Sequence, residues 1–538
     1  MYDIIFRNGT VVDGSGRPAF KADVAIQGEY IAAVGNIPEE SRKEFDITGL
    51  VLTPGFIDMH SHSDMAALAE PELLPKLMQG ITSELLAQDG IGPAPLPADE
   101  AIISSWRAYL AGLDGNPDIT WDWRTLDDYL TRMEQQPMGC NQLPLLPSGN
   151  VRMVSIGLED RPSTPQEMEA MDSVVDEAMQ AGAWGVSLGM VYMPCTFFSR
   201  EEMVRIYSRV AQHGGFLVVH MRNGSSLLLE SIDELFSISK EAHIPLHISH
   251  FKAAGRKNWY KMSQALKMLE DWKQEGNDIS FDIYPYTAGS TMFSILLPPW
   301  AVEGGMRATL ERLRQPELRN AIIKAWTNPE PPTMKGKGWD NPVYLNGWEN
   351  IIISSTRSGN PEIVGRRMTD IAKDRNITPE ELAFVLMEEE QGDMGVMYFS
   401  MDESRVAEGI CHPYGMICTD GLLGGTPHPR VYGSFPRVLG HFVRDLGSLT
   451  LEDAVHKMTG KSADRLGLKD RGFIAPGQCA DIVVFSAENI CDNATYDNPR
   501  QYPSGIEHVL VNGIHSVMNG IFTGALGGKV LRCKKAKD

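Results

Sequence analysis

Phe56-Ile57-Asp58-Met59-His60-Ser61-His62 is an apolar run that ends in two histidines two residues apart. The run reads as a buried strand. Alternate residues of a strand share a face, so His60 and His62 present both imidazoles to one site. The same pattern recurs in order along the chain. Phe216-Leu217-Val218-Val219 leads into His220, Leu246-His247-Ile248-Ser249 into His250, and Met416-Ile417-Cys418-Thr419 into Asp420. A lone His-x-His is common by chance, and a lone His220 is ordinarily a satisfied, partly buried histidine. The joint pattern is specific, because every ligand-type residue closes a strand-like run. Imidazoles and a carboxylate gathered at the C-terminal ends of parallel strands make a divalent-metal site at the mouth of a barrel, and the reaction class implied is metal-assisted hydrolysis.

Working outward, further strand candidates are Ile81-Thr82-Ser83-Glu84-Leu85-Leu86, Gln142-Leu143-Pro144-Leu145-Leu146, Trp184-Gly185-Val186-Ser187-Leu188 and Ile279-Ser280-Phe281-Asp282-Ile283-Tyr284. Helical stretches alternate with them. Ser163-Thr164-Pro165-Gln166-Glu167 is a capping signal that opens an amphipathic run through Met179, and Ser199-Arg200-Glu201-Glu202 opens another through Ala211. Alternating strand and helix predicts a parallel sheet, and about eight such units predict a closed (β/α)8 TIM barrel, an α/β fold. The rhythm breaks between Ile283 and Met416, where prolines and glycines thicken, and an inserted subdomain is expected near 298–348.

Both ends of the chain read as short strands and tight turns, with Asn8-Gly9 and Asn512-Gly513 as hairpin-type pairs. One small β-sandwich built from both termini is therefore expected, residues 1–54 supplying its N-terminal part and 471–538 its C-terminal part, with the barrel at 55–470.

Composition narrows the function. The chain has 538 residues, 43% hydrophobic and 22% charged, which is ordinary for a globular protein. A net charge of −21 argues against nucleic acid or an anionic membrane as partner. No apolar run is long enough for a membrane span, and no secretory signal is seen at Met1-Tyr2-Asp3-Ile4-Ile5-Phe6-Arg7. Seven cysteines without framework spacing suit a reducing cytoplasm. A small-molecule substrate is expected, and a homo-oligomer stays open.

The motifs resemble the amidohydrolase superfamily, and within it the N-acyl-D-amino-acid deacylase branch. The resemblance covers nearly the whole chain. It is carried by Thr53-Pro54-Gly55 through Asp64, His220-Met221-Arg222, Ser249-His250-Phe251-Lys252, Asp282 through Thr291, Thr419-Asp420-Gly421 and His428-Pro429-Arg430 through Gly440. The resemblance implies a zinc enzyme, with one or two divalent ions, that cuts an amide of a small molecule. His60, His62, His220, His250 and Asp420 match the metal ligands. Asp420 also matches the carboxylate that moves a proton from the attacking water to the leaving amine. Tyr192, Lys252, Ser290 and Arg430 match positions that contact the substrate carboxylate or carbonyl.

The chain departs from the branch at the pocket edge. Gln88-Asp89-Gly90 stands where the family usually has Asn-Cys-Gly with a bridging cysteine, so Asp89 is the ligand expected there, bridging two ions or leaving one. Pro147-Ser148-Gly149 replaces Gly-His-Gly, Gly224 stands in an acidic position, and Phe251 in a histidine position. Two alternatives remain. A cyclic-amide hydrolase of the hydantoinase or dihydroorotase kind usually carries a carboxylated lysine on the fourth strand, and Trp184 to Tyr192 contains none. A barrel scaffold without catalysis would not need the full ligand set.

Overall fold

The computed structural model describes residues 1–327 and 338–534. Part of the insertion expected near 298–348, and the last four residues of the expected C-terminal part, lie outside these described residues.

Eight parallel strand positions form a ring. They are β1 Phe56–Asp58, β2 Ile81–Leu86, β3 Asn141–Pro144 with its continuation Leu146–Pro147, β4 Val186–Gly189, β5 Leu217–His220, β6 Leu246–Ile248, β7 Ile279–Ile283 and β8 Gly415–Ile417. Each pairs in parallel with the next, from Phe56 opposite Ile81 round to Ile283 opposite Ile417. A parallel bridge between Ser61 and Gly421, with the Asp420 amide donating to the His60 carbonyl at 2.8 Å, closes the ring.

Alternation along the strands sets which residues face the ring interior. Ile57, Leu85, Leu143, Val218 and Met416 pack into one inner cluster, whereas Leu217, Val219, Leu246, Ile248 and Phe281 pack outward against the helices. His220 lies two residues beyond inward-facing Val218, so the strand delivers its imidazole to the mouth of the barrel. The helices start where the capping signals placed them. Pro165–Ala181 has Thr164 and Glu167 in a capping box, and Arg200–Gln212 has Ser199 and Glu202 in another.

Strands from both termini form one nine-stranded sheet, joined where Val51–Pro54 runs antiparallel to Ile482–Phe485. Ile4, Phe6, Val24, Leu52, Ile482 and Leu510 form its core. Between β7 and β8 the chain adds a three-stranded antiparallel sheet, with Met394–Phe399 between Ala288–Met292 and Ile351–Thr356. Among the described residues no helix is long and apolar enough to cross a membrane.

Candidate metal centre

The ligand-type residues sit at or just past the strand ends, and three of them have left-handed backbone. Asp89, His250 and Asp420 have φ of 59°, 34° and 48°. Such a conformation is costly for a residue with a Cβ and persists where surrounding structure imposes it. At the end of β4 a side chain on Gly189 would run into the Asp89 carbonyl oxygen and the Tyr192 ring, so glycine there lets the Asp89 loop lie flat on the barrel mouth.

The donors converge on Asp89. Its Oδ1 lies 3.7 Å from His60 Nε2, 3.6 Å from His220 Nδ1 and 3.5 Å from His250 Nε2, while Oδ2 lies 3.7 Å from His62 Nε2. Asp420 Oδ1 is 3.6 Å from His60 Nε2 and 3.3 Å from His62 Nε2, and those two nitrogens are 3.2 Å apart. Among the described residues, His60 with His62 and Asp420, and His60 with Asp89 and His250, form donor groups within 4.8 Å. Bonds of about 2.0–2.2 Å in a tetrahedron place donors roughly 3.3–3.6 Å apart, so these separations fit a divalent-ion shell. Asp89 Oδ1 and His220 Nδ1 are buried with no hydrogen-bond partner, which is the other mark of a site built for a cation.

The electrostatics agree. Burial pushes His60 down to about 3 and His220 down to about 4, so both imidazoles are neutral and keep a lone pair. Burial also opposes ionisation of Asp89, but His220 and His60 outweigh it and hold the carboxyl well below its usual range. His62 is the exception. Burial lowers it, yet Asp114 and Asp420 raise it to about 10, and a cation at Nε2 would take the proton's place.

The other residues singled out in the sequence surround this cluster. Tyr192 packs its ring against His220, with centroids 5.0 Å apart, and its hydroxyl is 2.9 Å from Thr291 Oγ1. Lys252 Nζ is 2.8 Å from His250 Nδ1 and 2.9 Å from the His250 carbonyl oxygen. Arg430, fully buried at the start of the helix Arg430–Arg437, places Nη1 2.8 Å from Asp420 Oδ2. Its Nη2 donates to the Ser290 carbonyl at 2.9 Å, so Ser290 meets the site through its backbone. Arg430 also stacks over the Tyr284 ring at 4.5 Å.

Three contributors are not among the site residues named from the sequence, although Asp282 and Thr291 bound a stretch that carries the family resemblance. Asp114 ends the helix Glu100–Asp114 and places Oδ1 3.6 Å from His62 Nδ1. Asp282 accepts from the His250 amide at 2.7 Å and from His247 Nε2 at 2.8 Å, and lies 3.9 Å from His60 Nδ1. Thr291 holds Tyr192. Carboxylates behind ligating imidazoles fix ring orientation and tautomer, which is the role their placement allows.

A model of the amidohydrolase family matches residues 43–325 and 420–515. The chain is 32% identical over 539 residues to D-aminoacylase of Alcaligenes xylosoxydans xylosoxydans, covering 98% of this chain and 97% of that one. A solved D-aminoacylase structure, studied for its binuclear metal centre, superposes with a TM-score of 0.81 at 31% identity, over 99% of this chain and 100% of that one. N-acyl-D-glutamate deacylase of Bordetella bronchiseptica, solved with zinc and a phosphonate mimic of the tetrahedral intermediate, superposes at 0.82 with 28% identity, covering 99% of each chain.

Proposed function

The chain belongs to the amidohydrolase family, and from that premise we propose that it is a zinc-dependent enzyme converting an N-acyl-D-amino acid to a carboxylate and a D-amino acid. The observation that carries this reading is the convergence of His60, His62, His220 and His250 on Asp89, with Asp420 against His60 and His62 and a buried arginine beside Asp420. His220, His250 and Asp89 would hold one ion, and His60, His62 and Asp420, with the other Asp89 oxygen, a second. A bound zinc ion supplies hydroxide at neutral pH and a Lewis acid for the amide carbonyl.

The chain's own groups do the rest. Asp420 has one oxygen toward His60 and His62 and the other toward Arg430. A carboxylate so placed accepts the proton of the attacking water and returns it to the departing nitrogen. Arg430 has an Nε with no hydrogen-bond partner although it is buried, so a donor remains for a substrate carboxylate. Were His250 Nε2 to hold an ion, Nδ1 would carry the hydrogen and would no longer accept from Lys252. The ammonium keeps the His250 carbonyl oxygen and can turn a second N–H to the same carboxylate. Two grips on the carboxylate hold the amide over the ligands, and the Tyr192 hydroxyl, on a ring packed against His220, is the donor assigned to the developing oxyanion.

Among the described residues none of the seven cysteines forms a disulfide, which supports a reducing cytoplasm as the setting. The cyclic-amide alternative is disfavoured, because β4 carries no lysine and Asp89 occupies the position between the histidines. The test is a screen of the zinc-loaded protein on N-acyl-D-amino acids, their L enantiomers and hydantoins. Preferential release of D-amino acids supports the reading, and turnover confined to L compounds or hydantoins rejects it.

A further inference from the structure

Behind the metal centre a lysine is sealed inside the protein. Lys76, in the short helix Leu74–Leu77, has no exposed surface. Its Nζ donates to Asp58 Oδ2 at 2.7 Å, to Ser61 Oγ at 2.8 Å and to Thr419 Oγ1 at 2.7 Å. Those three bonds use all three ammonium hydrogens. Glu84 Oε2 lies 3.3 Å from Nζ and accepts from Ser61 Oγ at 2.7 Å and Ser63 Oγ at 3.0 Å. Asp58 in turn accepts from the Thr419 amide at 2.8 Å and the Thr419 hydroxyl at 2.6 Å.

Several members of this network adjoin proposed ligands, and Asp58 stands two residues before His60. Ser61 lies between His60 and His62, Ser63 follows His62, and Thr419 precedes Asp420. Burying an ammonium costs several kcal/mol before it is paired, and a well-packed apolar residue of similar size is often as stable. Stability alone is therefore a weak reason for a lysine here. What the lysine does, and an apolar residue cannot, is tie together three chain segments: β1 with its two histidines, β2, and the loop that carries Asp420. The packing is close enough that a Cβ on Gly421 would lie 2.9 Å from Thr419 Oγ1 and 3.5 Å from Lys76 Nζ. His220 ends β5 and His250 lies two residues past β6, and among the described residues Lys76 makes no hydrogen bond to either strand.

We infer that Lys76 is a positioning residue that locks the His60–His62 segment to the Asp420 segment, so that this half of the metal centre is preformed. The inference rests on the ligand set proposed above. It separates the centre into two halves, only one of which depends on the buried lysine.

The experiment uses the full chain stripped of metal and titrated with Co2+ alone, in wild type, Lys76→Met and Thr419→Val. Circular dichroism and gel filtration report folding, visible absorption reports the ligand field, and kcat and KM are measured after zinc loading. Wild type is expected to bind Co2+ with strong visible bands. The folded variants are expected to show a Co2+ dissociation constant raised about tenfold to a hundredfold for one class of site, the range for groups that orient metal ligands. Their bands shift, and kcat falls while KM holds. Should Lys76→Met fail to fold, Thr419→Val decides alone, because it removes one Nζ partner and leaves the charge in place. Folded Thr419→Val with wild-type Co2+ affinity and spectrum overturns the inference. Wild-type protein that binds no Co2+ rejects the ligand set itself, and this inference with it.

Discussion

Arg430 Nη1 lies 2.8 Å from Asp420 Oδ2, with both side chains buried at the barrel mouth. The two residues proposed for substrate anchoring and proton transfer are thus in direct contact. Asp420 is held well below the usual carboxylate range: burial opposes this, and Arg430 and His60 outweigh it. The guanidinium proposed to grip a substrate carboxylate therefore also sets the charge on Asp420.

Asp420→Asn keeps the size and one oxygen of the side chain but cannot accept a proton. The expected result is a fall in kcat of about a hundredfold or more, the usual contribution of a general acid–base group, with bound metal retained. Steady-state kinetics paired with elemental analysis checks both halves. Near-normal turnover would place the proton shuttle on another group.

Arg430→Lys keeps the charge and loses the planar fork. A hydrogen bond to a charged group carries roughly 1.5–3 kcal/mol, so kcat/KM on an N-acyl-D-amino acid should fall about tenfold to a hundredfold. The methyl amide of the same substrate, which lacks the carboxylate, should be poor for wild type and should discriminate little between wild type and variant. Equal rates for acid and amide in wild type would reject carboxylate recognition.

Asp89→Ala removes the group on which four imidazoles converge. Metal content and activity should fall together, because Asp420 stands against His60 and His62, whereas Asp89 reaches all four imidazoles. Unchanged metal and rate would make Asp89 a loop residue.

The small terminal sheet gives a prediction about pH. His508 Nδ1 and His515 Nε2 are 3.1 Å apart, beside the Phe6 and Phe45 rings. Burial pushes each down to about 4 from the ordinary 6.5, and His508 and Lys43 add to the shift at His515. The folded chain then keeps both neutral while the unfolded chain takes up protons below about pH 6.5. Their contribution is full above that pH and is lost as pH falls toward 4. The Tm should drop over this window, and less steeply in a His508→Gln, His515→Gln double variant. An identical slope in the two proteins would show that this pair does not drive the acid sensitivity.

Much of the site is legible in the sequence, because strand-then-histidine is a local pattern. His60, His62, His220, His250 and Asp420 each close an apolar run, and the ring of strands turns those closures into one cluster. Asp89 has no such signature, since Gln88-Asp89-Gly90 reads as an ordinary turn, and only the resemblance to a family points to it. Asp114 is out of reach of sequence reasoning. It ends a helix in a separate connection, and only the tertiary packing brings it to His62. Lys76 is hidden for the opposite reason. Leu74-Pro75-Lys76-Leu77 looks like a short surface helix, and burial of its ammonium depends on partners contributed by β1, β2 and the loop after β8. The antiparallel sheet between β7 and β8 is similarly obscure. Ala288-Gly289-Ser290-Thr291-Met292 has little apolar alternation, and its pairing strands are far away in the chain.

Release of amine from an N-acyl-D-amino acid, followed in metal-stripped protein before and after Zn2+ is returned, tests the central claim most directly. The expected result is negligible release by the stripped protein and recovery of stoichiometric amine and carboxylate release as zinc is restored, lost again in His220→Ala. Equal release with and without metal, or none from any N-acyl-D-amino acid by the zinc-loaded protein, would contradict it.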